Sequence, residues 1–366
     1  MPEPQSSGQQ TEGLKAAGPI PVLLLFGPTA SGKTDILEAL FSGDASLCPA
    51  EIISADSMQV YRGMDIGTAK PSAALRARLP HHLIDIRSPK EQFNAGEFVR
   101  LAGEAAVDIA NRGKLPVISG GTGFYLTNFV QGLPATPPAD FALRQTLQDE
   151  LHLRGVDALR VELEARDPVS ARRIHPHDEY RLLRALEVCR LTGRPLSSYP
   201  RNSASVGKAD ESANTRTDGA PNCSRNLFRR NSFRFLLIGL DRPREEVYRR
   251  IDARCAQMFR EGLPAEVRRL YESGCTPADP GMKAIGYREF FIQTETGETR
   301  LNSDLAAVEA QAAQNSRHYA KRQITYFATL PDVHWIDAAC DGPSRRDDPA
   351  GQIREMVEGF IKEGGS

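Results

Sequence analysis

Residues 21–26 read PVLLLF and residues 27–34 read GPTASGKT. The uninterrupted apolar run predicts a strand buried on both faces, as in a parallel sheet. Gly27, Pro28, Thr29, Ala30, Ser31, Gly32, Lys33 and Thr34 then fit G-x-x-x-x-G-K-[ST], and a helical segment over 35–40 follows. Strand, glycine turn and helix in that order make a phosphate cradle. The glycines let backbone N–H groups face phosphate oxygens, Lys33 adds a point charge, Thr34 can hold Mg²⁺, and the helix N-terminus lends its dipole. Loops of this kind bind ATP and other nucleotides. The motif signals a di- or triphosphate without saying what becomes of it.

Working outward, apolar runs predict further strands at 51–55, 82–86, 115–119, 233–240 and 333–336. Helical spacing falls between them, as in 97–112, where Phe98, Leu101, Ala105 and Ile109 recur. The alternation predicts an α/β fold, a P-loop doubly wound, mainly parallel sheet. Between 133 and 200 no strand pattern occurs. Leucines at helical spacing there (143, 147, 151; 159, 163; 182, 186) predict an all-helical insertion domain.

The expected organisation is a disordered tail over 1–19, the first part of the core over 20–132, the helical insertion over 133–200, a flexible polar insert over 201–232, the second part of the core with C-terminal helices over 233–340, and a tail over 341–366 that starts polar and ends with a short helical pattern, Ile353 to Ile361. The 366 residues carry a formal net charge of −1, with 40 % hydrophobic and 25 % charged residues. That balance excludes a uniformly basic nucleic-acid coat but not a local basic groove. No C-x-x-C pair occurs among the six cysteines, which argues against a zinc knuckle or a disulfide framework and for a reducing, cytoplasmic setting. No run is long enough to span a bilayer, so no membrane association is expected, and a monomer is the expected state.

Strand 51–55 delivers Asp56 and Ser57 to the carboxyl edge of the sheet, where ligands of open α/β sheets bind. Asp56 can be a metal ligand, a general base or a helix cap there. The stretch from Asp56 through Gln59, Arg62 and Thr68 to Lys70 mixes acid, amide, aromatic and basic residues as a binding loop does. Basic clusters follow: Arg172, Arg173, Arg181, Arg184, Arg190 and Arg194; Arg250 and Arg254, four apart and bordering an apolar stripe; and Arg317, Lys321, Arg322 and Gln323 with Tyr326. Each alone can be a solvated helix face. Together beside a phosphate cradle they suggest a groove for RNA, whose splayed bases stack on Arg and aromatic planes.

GPTASGKT, ADSMQVYRGMDIGTAKP, HHLIDI, GGTGFYL, IHPHDEYRLLRALEV, KAIGYRE and YAKRQITYF occur in this order between about 20 and 338. Together they resemble the bacterial tRNA dimethylallyltransferase (tRNA isopentenyltransferase) family. The resemblance implies transfer of a dimethylallyl group from dimethylallyl diphosphate to the exocyclic N6 amine of the adenosine 3′-adjacent to the tRNA anticodon, with release of diphosphate. It implies that the cradle holds the prenyl donor's diphosphate, that ATP is not consumed, that Asp56 is the general base, and that Arg254 assists Lys33, Thr34 and Mg²⁺ with the diphosphate. It assigns tRNA contacts to Asp56, Ser57, Met58 and Gln59, to Thr122 and Arg144, to Tyr180, Arg181, Leu182, Leu183 and Arg184, to Lys283, Ala284, Ile285, Gly286, Tyr287 and Arg288, and to Lys321, Arg322 and Gln323. His177 stands where many members have Asn, 201–232 is longer than usual, and no zinc-finger extension follows the core. The residues alone also admit a P-loop kinase of a small acceptor, which would leave the basic clusters unexplained, and a non-catalytic RNA-binding module that senses nucleotide.

Overall fold

In a computed structural model the described residues are 18–43, 46–134, 136–199, 232–339 and 348–363. They fall into two compact units, one made of the residues before Gln131 and after Pro221, the other of Gln131–Pro221. The expectations for most of the N-terminal tail and of the 201–232 insert lie outside the described residues, as does the start of the tail after 340.

The first unit is built on a six-stranded sheet in the order β3-β2-β4-β1-β5-β8, every neighbouring pair parallel. Its strands are β1 (Ile20–Phe26), β2 (Ala50–Ser54), β3 (His81–His82), β4 (Leu115–Gly120), β5 (Phe233–Asp241) and β8 (His334–Asp337). Five consecutive residues of β1, Val22 to Phe26, are fully buried, as the apolar run requires. Side chains alternate across the strand. Leu23 and Leu25 pack with Leu37 and Leu40 of α1 (Lys33–Phe41) and with Ile353, Val357 and Phe360 of α11 (Pro349–Lys362). On the opposite face Phe26 meets Phe327 of α10 (Leu305–Phe327), and Phe98 of α3 (Ala95–Asn111) stacks on Tyr125 of α4 (Gly123–Gln131). Helices on both faces make the sheet doubly wound.

Two expectations need correction. The strand at 82–86 stops after His82, because Leu83 and Asp85 take positive φ (63° and 59°), which no strand sustains. The helical pattern expected at 353–361 falls in α11, but the segment does not stand apart from the core as a tail: α11 supplies three buried side chains to the sheet core. A hairpin of β6 (Phe291–Gln293) and β7 (Thr299–Leu301), antiparallel, was not anticipated.

A second cluster in this unit joins Val60, Tyr61 and Met64 to Met258 of α8 (Arg244–Arg260), Leu263 and Val267 of α9 (Leu263–Glu272), Tyr287 and Phe290. The helical unit contains α5 (Phe141–Arg166), interrupted at Gly155 (φ 78°), α6 (Pro168–Arg173) and α7 (Glu179–Thr192). Leu147, Leu159, Leu163, Leu182 and Leu186 form its core. No helix among the described residues is long and apolar enough to cross a membrane.

Candidate active site

The cradle leaves β1 at its carboxyl end and enters α1 through Gly32 at φ 95°. That value suits glycine, which carries no Cβ to clash. Ala30 also sits at positive φ (62°), and Arg250 Nε donates to its carbonyl at 2.8 Å, which fixes the turn. No side chain caps the first N–H groups of α1, so they remain available for an anion. Lys33 Nζ donates to the Gly27 and Pro28 carbonyls at 2.9 and 2.8 Å. Burial, with Arg254 alongside, lowers the Lys33 ammonium to about 7. Arg254 Nη1 donates to the Thr29 hydroxyl at 3.1 Å, and burial pulls its own pKa down as well.

Asp56 follows β2. Its Oδ1 accepts the N–H groups of Met58 (2.8 Å) and Gln59 (3.3 Å), an Asx turn that orients the carboxylate without using Oδ2. Ser57 N–H donates to Thr122 Oγ1 at 3.0 Å, which joins this turn to the loop after β4. Gln59 accepts from Ser54 Oγ at 2.8 Å and donates to the Thr68 and Ala69 carbonyls.

Two cavities open on this edge. One, of about 800 Å³, runs along Thr29–Asp35 to Asp56, Gln59, Arg250 and Arg254. The other, of about 300 Å³, is walled by Ser57, Met58, Lys283, Ile285, Arg288 and Arg322. Thr29, Asp56, Thr68, Arg254, Met258 and Tyr319 line both. The carboxylate and the cation that bonds to the cradle therefore stand on a wall common to the space along the cradle and a space rimmed by basic side chains.

The loop carrying this wall is held from behind. Glu266 is buried on α9; its Oε2 accepts the N–H groups of Asp65 and Ile66 at 3.0 Å each, and its Oε1 accepts Gly67 N–H at 3.3 Å and the Tyr287 hydroxyl at 2.6 Å. Sequence reasoning missed Glu266. The available signal was its spacing: it lies three residues after Leu263 and four before Leu270, on the apolar face of α9.

Several residues assigned to tRNA have side chains that are buried or already paired. Leu182 and Tyr287 are fully buried, and Gln323 is 5 % exposed, so none presents its side chain to a macromolecule. Tyr287 faces Glu266, and burial beside that carboxylate raises its pKa. Leu183 packs against the helical core. Arg144 and Arg184 both pair with Glu187, itself fully buried. Arg190 pairs with Glu150 and Glu162, and Arg317 with Asp252. Tyr180 and Arg181 are exposed on α7, and Lys283, Arg288, Lys321 and Arg322 are exposed as well. Gly286 and Ala284 are buried but still line the smaller cavity.

Thr34 is exposed in the larger cavity, which Asp56 also lines. Among the described residues no group of three or more His, Cys, Asp or Glu side chains could hold a metal by itself. One hydroxyl with one nearby carboxylate suits Mg²⁺, which keeps waters and takes further oxygens from a substrate's phosphates.

Residues 59–329 match the family model described as IPP transferase. The chain is 41 % identical to a tRNA dimethylallyltransferase of Methylibium petroleiphilum, covering 94 % of its own length and 96 % of the relative's. It is 40 % identical to one of Geobacter metallireducens, covering 86 % and 92 %. Among solved structures, a full-length tRNA isopentenylpyrophosphate transferase of Bacillus halodurans aligns with a TM-score of 0.59 at 33 % identity, over 94 % of this chain and 97 % of that one. A eukaryotic dimethylallyltransferase acting on tRNA aligns with a TM-score of 0.70 at 24 % identity, over 94 % and 80 %, a likeness of fold.

Proposed function

The chain belongs to the IPP transferase family, and on that premise we propose that it transfers a dimethylallyl group from dimethylallyl diphosphate to the exocyclic N6 amine of the adenosine 3′-adjacent to the tRNA anticodon. The bond from the allylic carbon to the diphosphate oxygen breaks, the C–N bond forms, and diphosphate leaves with the electron pair. The observation that carries this reading is the common wall: Asp56 and Arg254 line both cavities, so a base and a diphosphate-gripping cation flank one reaction centre.

An aromatic amine is a poor nucleophile, because its lone pair is delocalised into the ring. Asp56 takes its proton as the C–N bond forms. The α1 N–H groups, Lys33 and Arg254 stabilise the charge gathering on the departing diphosphate. Thr34 would hold Mg²⁺, which supplies further neutralisation of that diphosphate when bound. An allylic centre with cation character reacts readily with water, so the wall must be covered while tRNA is bound. The target base must leave the anticodon-loop stack to reach Asp56. Ser57, Met58, Lys283, Ile285, Arg288 and Arg322, around the smaller cavity, are suited to receive it and its flanking phosphates. ATP is not a reactant in this scheme. The working unit is taken to be a monomer acting in the cytoplasm, where tRNA is processed.

Purified protein mixed with labelled dimethylallyl diphosphate, Mg²⁺ and unmodified tRNA is expected to label the tRNA. Absence of incorporation, or ATP-dependent phosphorylation of a small acceptor instead, would overturn the assignment.

A further inference from the structure

Gln323 lies on the inner face of α10 and uses both ends of its amide. Its Oε1 accepts the Thr29 N–H of the phosphate cradle at 2.9 Å, and its Nε2 donates to the Gly121 carbonyl at 2.8 Å. Gly121 lacks a side chain for good reason: a Cβ there would collide with this amide. One turn earlier on α10, Tyr319 lines both cavities, and burial keeps its hydroxyl protonated, with the pKa pushed up to about 12. Thr122 accepts the Ser57 N–H, next to Asp56, and the Thr29 hydroxyl receives Arg254. Hydrogen bonds thus run from Arg254 and Thr29 through Gln323 to Gly121, and the next residue along the backbone, Thr122, holds the turn that carries Asp56.

We propose that Gln323 is a positioning residue that locks the diphosphate-holding loop to the loop carrying the base. This rests on the prenyl-transfer reading above. The two loops leave β1 and β2, which are separated in the sheet by β4, so strand pairing alone does not fix one loop tip against the other. The reacting carbon must sit between the diphosphate held by the first loop and the amine deprotonated by the second, and a displacement of about 1 Å can cost on the order of a hundredfold in rate. A primary amide offers an acceptor and a donor side by side. A carboxylate in its place keeps the acceptor and loses the donor; an apolar side chain loses both. Because both polar ends are satisfied inside the protein, Gln323 acts on the chemical step rather than by reading tRNA.

The test compares wild type with Gln323→Glu and Gln323→Met in steady-state transfer assays, with tRNA dissociation constants and melting curves measured on the same preparations. Gln323→Glu still accepts the Thr29 N–H, so donor KM is expected to stay within about threefold while kcat falls by about tenfold. Gln323→Met frees both loops, and kcat is expected to fall by about a hundredfold with donor KM raised. The tRNA affinity is expected to be unchanged in both. Thr122→Val removes the next link; it is expected to lower kcat without moving donor KM, and it decides the matter if the Gln323 variants fail to fold. Weakened tRNA binding with unchanged kcat, wild-type kcat in folded Gln323 variants, or full activity of Thr122→Val beside unfolded ones would overturn the proposal. A wild-type enzyme that transfers no prenyl group would instead count against the assigned reaction.

Discussion

Arg254 Nη1 donates to the hydroxyl of Thr29 across 3.1 Å, which ties α8 to the phosphate cradle. Its guanidinium and the Lys33 ammonium are both half-buried, with Asp56 as the nearby carboxylate. Two cations beside one acid leave positive charge that the proposed diphosphate would pair with. Arg254→Gln is expected to lower kcat/KM for the donor by about a hundredfold or more, as loss of a preorganised charge donor does. Arg254→Lys should recover little, because an ammonium lacks the planar fork. Kinetics with varied dimethylallyl diphosphate at saturating tRNA check both.

Lys33 is expected to make donor binding pH-dependent. Its pKa of about 7 in the free protein, below the ordinary 10.5, means that it sheds its charge as pH rises through neutrality. A bound diphosphate favours the charged form and raises the pKa again, so binding takes up a proton. Donor KM is therefore expected to rise with pH above about 7, approaching tenfold per unit. Lys33→Arg, always charged, should flatten that rise. A wild-type donor KM constant over this range would contradict the assignment of Lys33 to the diphosphate.

Glu266 supports the site through stability. It accepts three consecutive backbone N–H groups, of Asp65, Ile66 and Gly67, and the Tyr287 hydroxyl. Glu266→Ala leaves the buried Tyr287 hydroxyl and the partly covered loop N–H groups without their acceptor and is expected to cost roughly 2–4 kcal/mol. Glu266→Gln keeps one carbonyl acceptor and should lose less. Denaturant unfolding ranks the two, and equal stability of Glu266→Ala and wild type would show that the contacts carry no weight.

Much of the site was legible in the sequence because its parts are local. The run of Val22 to Phe26 followed by GPTASGKT fixes strand, turn and helix within a few residues, and β2 delivers Asp56 directly. What stayed hidden depends on distant packing. The helical spacing from Ile353 to Ile361 was legible, but that Ile353, Val357 and Phe360 pack against Leu23 and Ile238 of the sheet was not, because that partner is far away in sequence. Motif resemblance named Gln323 and Tyr287 for tRNA but could not say that one faces Thr29 and the other Glu266. Arginine clusters read as an RNA face are partly consumed by acids far away in sequence, as Arg190 is by Glu150.

Asp56 decides the mechanism, and Asp56→Asn is the informative variant. The amide oxygen can still accept the Met58 and Gln59 N–H groups that shape the turn, while its ability to take a proton is lost. The decisive measurement is single-turnover transfer to unmodified tRNA by wild type and Asp56→Asn, with tRNA affinity measured in parallel. The expected result is a rate lowered by about a thousandfold with tRNA affinity unchanged. A rate within a few-fold of wild type at equal affinity would contradict the assignment of Asp56 as the base.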